Sequence, residues 1–394
     1  MQRAYKYKIE PSRAQQQRFI DSLNLCRRLY NACLEQRKIA YRGHGISVTK
    51  YDQIKQLPYI KTEMPEYRLV YSQVLQNVVD RVDKAFQGFF RRCKRGEKPG
   101  YPRFRGRYRY DSITYPQSGF YIDDDERLNI SKIGKVRIRY HRPIPDGAII
   151  KTMTIRRDAV MDWWVSFTVD VPESKPIINK KPAVGIDVGI EKLATLSDGN
   201  YFENPRWLRS ENRVKKLQRR VSKKARGSNN RRKVTLKLAR AHRKVERQRS
   251  DYLHKASRHL ADNYGVIAFE NLTIKNMSKN HHLARSIMDA SWHRLVQMTQ
   301  YKAEEAGGSV VLVDPKGTSQ ICSVCGREVR KSLSTRIHVC LHSNDNIFSI
   351  DRDLNAARNI LNRAQEMVGQ GMPDVKPVEN NATADTKLYR LCIT

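Results

Sequence analysis

The sequence predicts a protein that joins an α/β unit to separate helical and β-rich modules. Residues 11–98 carry apolar side chains at helical spacing, and residues 101–176 alternate in the short runs typical of strands. From Lys181 onward, short apolar strands are interleaved with long basic helical segments. At 394 residues the chain is long enough for two or three domains with cores of their own.

The first module is predicted to be a strand followed by helices. Residues 1–10 alternate like a short strand, and Ser12 with Gln15 has the capping-box spacing that opens a helix. The apolar stripe of this helix consists of Phe19, Leu23, Cys26, Tyr30 and Cys33. A second helix is predicted from about Tyr67 to Lys94, and it ends before the breaker Lys98–Pro102. Its expected core positions are Val74, Val78, Phe86 and Phe89.

The second module is predicted to be a small antiparallel barrel or sheet. Its strands are separated by turn signals such as Pro145–Gly147. One face of its clearest strand consists of Trp163, Val165, Phe167 and Val169. Residues 102–110 interleave arginine with tyrosine and phenylalanine, which suits phosphate contact and base stacking. A solvated basic sheet face is the alternative.

The third module begins at Lys181 with the apolar strand Ala183–Ile190. A second strand, Leu193–Ser197, leads into an Asp198–Gly199 hairpin turn. Further apolar strands are predicted at Val266–Phe269 and Ser309–Val313. The polar, irregular residues 367–394 are predicted to be a disordered tail.

A strongly basic helical hairpin is predicted between Arg206 and Arg249, with a break near Gly227. This segment contains nineteen Lys and Arg against two Glu. Its expected buried positions are Leu217, Val221, Leu236 and Leu238. Such a charge run is usually a solvated face, but one this lopsided favours contact with phosphates. The expected contacts are Arg219, Arg220, Arg231 and Arg232.

The charge of the whole chain indicates a polyanionic partner. Lys and Arg number 75 against 40 Asp and Glu, which gives a net charge of +35. Nucleic acid is the obvious partner, because neutralising phosphates releases condensed counterions. An anionic membrane surface fits less well, since no separate amphipathic anchor, no span of ~18 apolar residues and no signal peptide is found. The expected location is the prokaryotic cytoplasm, in association with the nucleoid.

Three acidic residues stand at the edges of apolar segments. Asp187 interrupts one strand, Glu270 ends another, and Asp353 opens a predicted helix. Burying a carboxylate there is costly unless something compensates the charge, and a divalent cation commonly does. Two such cations can hold the attacking and leaving oxygens of a phosphoryl displacement. Asp351 is a competitor for the third position, although as an N-cap it needs no metal.

A group of three cysteines resembles a zinc site. Cys322 and Cys325 form a C-x-x-C pair followed by Gly326, and Cys340 lies further on. The remaining cysteines are scattered and are expected to be ordinary thiols: Cys26, Cys33, Cys93 and Cys392.

Three segments carry a resemblance to a known family. GIDVGIEKLATLSDG (185–199), IAFENL (267–272) and DRDLNAARN (351–359) are similar to the three RuvC motifs of the TnpB family. Members of that family are transposon-encoded RNA-guided DNA endonucleases related to type V CRISPR effectors. Further similar segments, in the family's order, are KPGYPRFR (98–105), DASWHRL (289–295) and DPKGTSQICSVCG (314–326).

The resemblance implies a division of the chain into modules. A wedge β-barrel would comprise residues 1–10 and 100–180, and a helical recognition region would comprise residues 11–99. An RNase H-like RuvC nuclease domain would comprise residues 181–316 and 350–366. A zinc-ribbon-like insertion would occupy residues 317–349.

The resemblance also implies roles for individual residues. Asp187, Glu270 and Asp353 would hold two Mg²⁺ ions and cleave double-stranded DNA that pairs with a bound guide RNA. A short motif beside the target would be read by Gln76, and less securely by Lys50 or Tyr51. Arg103 and Arg105 of the KPGYPRFR segment are further candidates for nucleic-acid contact.

The cysteine pattern departs from the family. A second C-x-x-C pair is expected, but Ser343 stands three residues after Cys340. Either Zn²⁺ is held by Cys322, Cys325 and Cys340 with His342 or His338 as the fourth ligand, or the site is degenerate.

Other functions stay open from the sequence. A guided DNA-binding repressor or accessory protein would lack cleavage, and a compact CRISPR-associated descendant of the family would look similar. A DNA-strand transferase would need a nucleophilic tyrosine with paired histidines. The one such pair, His281 and His282, is expected to lie in a loop.

Overall fold

The computed structural model describes residues 2–107, 109–172, 179–207, 212–332, 335–341 and 347–369. These residues form two compact units, one within residues 1–174 and the other within residues 175–394.

The first unit combines helices with an antiparallel sheet. Its helices are α1 (Arg13–His44), α2 (Lys50–Lys55), α3 (Leu57–Glu63) and α4 (Ser72–Lys94). Its strands are β1 (Gln2–Glu10), β2 (Ser112–Pro116), β3 (Phe120–Ile122), β4 (Arg127–Ile130), β5 (Gly134–Ile138), β6 (Ile149–Arg157) and β7 (Trp163–Asp170). The strand order is β2-β6-β7-β1-β5-β4-β3.

The N-terminal strand β1 is central to this sheet. It pairs with β7 from Gln2 opposite Asp170 to Ile9 opposite Trp163, and its end also pairs with β5. Every second residue of β7 is buried, as the alternation predicts. The predicted strand and the predicted antiparallel sheet are therefore confirmed.

Helix α1 begins with the predicted capping box. The Ser12 hydroxyl accepts from the Gln15 amide, and the Gln15 side chain accepts from the Ser12 amide. All five residues of the predicted apolar stripe are buried. The stripe packs on the sheet, where the ring of Phe19 lies 4.9 Å from that of Trp163.

The second long helix begins later than the sequence predicts. Residues Pro65–Leu69 form a 3₁₀ helix that buries Tyr67, and Val70 is extended. Helix α4 therefore starts at Ser72 rather than near Tyr67. It ends at Lys94, before the predicted breaker. Val74 and Val78 are buried as expected, whereas Phe86 and Phe89 are only half-buried.

The second unit is built on a five-stranded mixed sheet. Its strands are β8 (Ala183–Asp187), β9 (Lys192–Leu196), β10 (Tyr201–Glu203), β11 (Val266–Glu270) and β12 (Ser309–Val313), and their order is β10-β9-β8-β11-β12. The described helices are α5 (Asn212–Ser222), α6 (Asn229–Asn263), α7 (Ile274–Met277), α8 (Ala284–Ala290), α9 (Trp292–Glu305) and α10 (Arg352–Gly369). A separate two-stranded sheet consists of β13 (Ile337–Leu341) and β14 (Ile347–Asp351).

Strands β8, β11 and β12 are parallel, and β9 is antiparallel to β8. The predicted turn at Asp198–Gly199 connects β9 to β10. Parallel strands bring their carboxyl ends to the same edge of a sheet. Asp187 and Glu270, the last residues of β8 and β11, therefore lie at one edge.

The predicted basic hairpin is formed by α5 and α6, which share a small core of their own. Leu217, Val221 and Leu238 are buried in it as expected. Leu236 is only half-buried, and Val234 is buried instead, because Val234 and Leu238 are one helical turn apart.

Helix α10 continues to Gly369, so the first three residues of the predicted disordered tail are helical. Residues 370–394 lie outside the described residues. Throughout the described ranges, no helix has both the length and the apolar character that crossing a bilayer requires.

Candidate functional site

The first two carboxylates of the candidate site are brought together by the pairing of β8 with β11. Ile186 is opposite Phe269 in this parallel ladder, so the next residues, Asp187 and Glu270, are neighbours at the strand ends. The preceding residues of both strands are buried and apolar, which fixes the register.

Helix α10 brings the third carboxylate to the same place. A methyl group added at Gly185 would lie 2.1 Å from the carbonyl oxygen of Ala357 and 2.6 Å from the amide nitrogen of Leu361. Because glycine has no side chain, the backbone of α10 rests directly on β8. Asp353 lies in the first turn of α10, which therefore begins beside Asp187.

Asp351 caps helix α10. Its carboxylate accepts from the backbone amides of Asp353 at 2.9 Å and Leu354 at 3.1 Å. It also lies 3.9 Å from the ammonium group of Lys192. These contacts give Asp351 a structural function and leave Asp353 as the third candidate carboxylate.

The three carboxylates repel one another electrostatically. Burial raises the pKa of Asp187 well above its ordinary value, and the charges of Glu270 and Asp353 raise it further. Burial also raises the pKa of Glu270, although the hydrogen bond from the Thr318 hydroxyl lowers it. Hard divalent cations bind such sets of carboxylate oxygens, so the donor set fits Mg²⁺.

Two arginines partly compensate this negative charge. The guanidinium of Arg352 donates to Asp353 at 2.9 Å, and that of Arg336 lies 3.6 Å from the other Asp353 oxygen. Arg336 also forms a 2.8 Å ion pair with Glu191. Positive charge therefore stands beside the carboxylates.

Two asparagines that the sequence analysis did not identify connect α10 to the cysteine loop. Asn355 donates to the carbonyl of Ile321 and accepts from the amide of Ser323. Asn359 donates to the carbonyls of Thr318 and Ile321. Both are buried, and their four-residue spacing within an apolar helix was the signal that could have identified them.

The cysteine cluster contains His338. The ligand atoms of Cys322, His338 and Cys340 lie within 4.8 Å of one another, and all three residues are buried. The sulfur of Cys325 lies 3.5 Å from that of Cys340. The other candidate histidine, His342, lies outside the described residues.

This donor set suits zinc. Three cysteine sulfurs and one imidazole nitrogen are a common tetrahedral ligand set for Zn²⁺. Gly326 has a φ of +73°, which allows the tight turn after the second cysteine, and its amide donates to the Cys322 carbonyl at 3.0 Å. A hydrogen bond from the Arg327 amide lowers the pKa of Cys325, and burial raises that of Cys340 to about 11.

The DASWHRL segment joins the sheet to the basic hairpin. The indole nitrogen of Trp292 donates to the Gly189 carbonyl at 3.2 Å, two residues after Asp187. Buried Asp289 forms an ion pair with Arg249 of α6. Arg294 of α9 forms an ion pair with Glu246, also of α6, at 3.2 Å. His281 and His282 lie in the turn between α7 and α8, as expected.

The candidate motif-reading residues of the first unit lie on adjacent elements. Gln76 is exposed on α4. One turn further along α4, the Asp80 carboxylate lies 3.7 Å from the ammonium group of Lys50, which is at the start of α2. The ring of Tyr51 is 66% exposed, and the Lys50 ammonium lies 5.2 Å from its centroid. The side chains thus surround one exposed surface.

The two arginines of the KPGYPRFR segment differ in their surroundings. Arg103 is exposed. The backbone of Arg105 forms two hydrogen bonds with the Asn31 side chain, and its guanidinium lies over the ring of Tyr30 at 5.5 Å. Arg105 therefore fixes this segment to α1.

The four hairpin arginines also differ. Arg219, Arg220 and Arg232 are exposed. The guanidinium of Arg231 donates to the carbonyls of Val221 and Lys224, each at 2.9 Å, and so caps the end of α5. Arg231 is therefore a structural residue as well as a candidate phosphate contact.

Three family profiles match parts of the chain. Residues 166–281 match a family described as "Probable transposase", and residues 292–360 match one described as "Cas12f1-like, TNB domain". Residues 1–45 match a family described as "Helix-turn-helix domain", although the structure gives this segment one strand and one long helix.

Individual proteins match over nearly the whole chain. A Streptomyces pristinaespiralis protein named as an RNA-guided DNA endonuclease is 34% identical, over 92% of this chain and 89% of its own length. The Escherichia coli K12 protein InsQ, with the same designation, is 29% identical over 94% and 96%. In a cryo-EM complex of Cas12f1 with sgRNA and target DNA, the protein is similar in fold, with a TM-score of 0.55, 15% identity, and coverage of 88% and 82%.

Proposed function

Because the chain belongs to the TnpB family of RNA-guided DNA endonucleases, we propose that it cleaves double-stranded DNA selected by a bound guide RNA. The observation that carries this proposal is the meeting of Asp187, Glu270 and Asp353 at one sheet edge. A chain with a net charge of +35 needs a polyanionic partner, and nucleic acid meets that need.

The five-stranded sheet and helix α10 are assigned to an RNase H-like, RuvC-type nuclease domain. The order β10-β9-β8-β11-β12, with an antiparallel hairpin beside three parallel strands, supports this assignment. The antiparallel sheet of the first unit is assigned to the wedge barrel, and α1 to α4 are assigned to the recognition region. The module boundaries given by the sequence remain predictions.

Asp187, Glu270 and Asp353 would hold Mg²⁺. The bound ions would supply Lewis acidity and a metal-activated water for phosphodiester hydrolysis. The Thr318 hydroxyl orients Glu270 through its hydrogen bond. The missing side chain at Gly185 lets α10 pack against β8, and the hydrogen bond from Trp292 fixes the turn that follows Asp187. Arg336 and Arg352 place positive charge where the phosphate of the substrate has to approach the carboxylates.

Zn²⁺ is proposed to have a structural function. Its ligands would be Cys322, Cys325, Cys340 and His338. Cys322, His338 and Cys340 form one group, and the sulfur of Cys325 lies 3.5 Å from that of Cys340. The cluster is joined to α10 through Asn355 and Asn359, so it supports the helix that carries Asp353.

The motif beside the target is proposed to be read by the exposed surface around Gln76, Lys50 and Tyr51. Glutamine can form a bidentate hydrogen bond with adenine, and lysine can donate to guanine. Arg103 and the exposed hairpin arginines are proposed to contact phosphates.

The decisive experiment compares Asp187→Ala with Asp351→Asn in the purified protein–RNA complex. Asp187→Ala is expected to abolish Mg²⁺-dependent cleavage of matched DNA while RNA and DNA binding persist. Asp351→Asn is the matched control, because asparagine also caps helices and the carboxylate set is kept. Cleavage by Asp187→Ala would remove that residue from the active site.

Two other functions would be recognised by the same preparation. If the wild-type complex binds matched DNA in Mg²⁺ and never cuts it, the protein is a guided DNA-binding repressor or accessory protein. Sequencing the RNA that co-purifies distinguishes a transposon-end guide from a CRISPR guide.

A further inference from the structure

A basic cleft lies between the two helices of the hairpin. It has a volume of about 570 Å³ and is lined by Arg213, Lys216, Leu217, Arg220, Lys237 and Arg240. The cleft therefore combines five cationic side chains with one apolar residue, Leu217, which is 7% exposed.

The helical spacing of these residues explains the cleft. Arg213, Lys216 and Arg220 follow one another at three- and four-residue intervals, so they share a face of α5. Lys237 and Arg240 are three residues apart on α6. Since α5 and α6 pack through their common apolar core, both basic faces border the same space.

No acidic side chain balances this charge within the part of the chain that the structure describes. Among the described residues, none of the side chains that could pair with these five cationic groups places a carboxylate oxygen within 4.0 Å of them or forms a hydrogen bond with them. Like charges at three- and four-residue spacings destabilise a helix. The arrangement is therefore complete only when an anion enters the cleft.

We propose that this cleft binds the sugar–phosphate backbone of the guide RNA. The proposal rests on the proposed function and deepens it by naming a site for the RNA. Guanidinium groups form paired hydrogen bonds with phosphate oxygens, and lysine adds point charge. The apolar stems of these side chains and Leu217 can contact the ribose.

RNA fits the cleft better than target DNA because of when each partner is present. The repulsion among the five cations exists in every state of the protein. Under the proposed function, the guide RNA has to be bound before the protein can select its target, and target DNA binds only afterwards. A concave site between two helices also suits a strand of folded RNA that can bend into it, rather than a straight duplex.

The test compares two double variants of the full-length protein. Lys216→Gln/Lys237→Gln removes one cation from each wall of the cleft. Lys215→Gln/Lys223→Gln removes two other exposed cations of the same hairpin that do not line the cleft. The probe is the RNA recovered from the purified wild-type protein and transcribed in vitro. Binding is measured by fluorescence anisotropy over a range of NaCl concentrations.

In the cleft variant, the slope of log K against log salt is expected to be less negative by about 1.4 to 1.8. Each lost phosphate contact reduces the magnitude of this slope by about 0.7 to 0.9. The control variant is expected to keep the wild-type slope within about 0.5. Equal slopes for the two variants would overturn the proposal.

A second measurement separates RNA from DNA. With guide RNA already bound, the cleft variant and the wild type are expected to bind matched DNA with the same salt dependence. A change confined to this DNA measurement would overturn the RNA assignment and make the cleft a DNA site. If the wild-type protein carries no RNA, the proposed function fails; if it carries RNA but the cleft variant binds it normally, only the cleft assignment fails.

Discussion

Asp187 is the residue whose energetics most clearly indicate a site for a cation. Its carboxyl group lies near those of Glu270 and Asp353. Burial raises the pKa of Asp187, and the two neighbouring negative charges raise it further. A raised carboxyl pKa means that the folded state holds the proton more tightly than the unfolded state. Stability is then present at low pH and is lost as the pH rises through the folded pKa. At neutral pH the metal-free protein therefore bears a cost at this residue.

Replacing Asp187 by Asn is expected to raise the apparent Tm of the metal-free protein by about 2–4 °C, because it removes one repelling charge. Mg²⁺ is expected to raise the Tm of the wild type and to leave that of the variant within about 1 °C, since ligand binding stabilises only a competent site. Differential scanning calorimetry with and without Mg²⁺ measures both. An equal rise in the two proteins would contradict a cation at Asp187.

His338 is the histidine that the structure places beside the cysteines of the candidate zinc site. The sequence left His342 and His338 as alternatives. Among the described residues, which do not include His342, His338 lies with Cys322 and Cys340. Its place in β13, two residues before Cys340, sets both side chains on the same side of the strand.

His338→Ala is expected to reduce bound zinc from about one equivalent to less than about a tenth, because a three-cysteine site lacks its fourth ligand. His342→Ala is the matched control and is expected to keep its zinc. Metal content is measured by atomic emission after dialysis, and circular dichroism shows whether each variant is folded. Zinc loss in His342→Ala alone would assign the ligand to that residue.

At the scale of elements, the contact between β8 and α10 determines whether the site forms. Asp187 and Asp353 are far apart in sequence, and the missing side chain at Gly185 allows their elements to touch. The β-hairpin of β13 and β14 leads directly into α10, and Asp351 at its end caps the helix. The cysteine cluster, the Asp351 cap and the helix that carries Asp353 are therefore continuous in the structure.

Gly185→Ala is expected to lower the DNA cleavage rate by about 100-fold. The added methyl group would push α10 away from β8, and a shift of about an ångström would separate Asp353 from Asp187. RNA binding is expected to persist. Gly88→Ala in α4 is the control, since the added methyl group meets no atom within 4 Å. Single-turnover cleavage measures the effect. A normal rate in Gly185→Ala would show that α10 need not rest on β8.

At the scale of the whole molecule, charge sets the conditions for stability. A net charge of +35 repels itself unless a polyanion or salt screens it. The hairpin of α5 and α6 concentrates this charge on two helices with a small core.

Raising NaCl from about 0.1 M to about 0.5 M is expected to increase the apparent Tm of the RNA-free protein, because the screening length falls by about half. The same change is expected to lower the Tm of the RNA complex, because salt weakens phosphate contacts. Thermal melts of both samples measure the two slopes. A falling Tm in the RNA-free protein would contradict self-repulsion as the main charge effect.

The sequence by itself determined most of the elements and named the carboxylates of the candidate site. The capping box at Ser12, the strand alternation from Trp163 to Val169 and the strands ending in Asp187 and Glu270 were readable, because periodicity and capping are local properties. It missed the start of α4, where a 3₁₀ turn intervenes, and it placed Leu236 rather than Val234 in the hairpin core.

Only the tertiary structure decided which distant residues meet. The packing of α10 on Gly185 places Asp353 beside Asp187. His338 lies with the cysteines, and hydrogen bonds of Asn355 and Asn359 connect that cluster to α10. These contacts depend on the packing of elements far apart in the chain, and local patterns do not encode them. The carboxylates that mark the candidate active site were thus named by the sequence, and their meeting was determined by the fold.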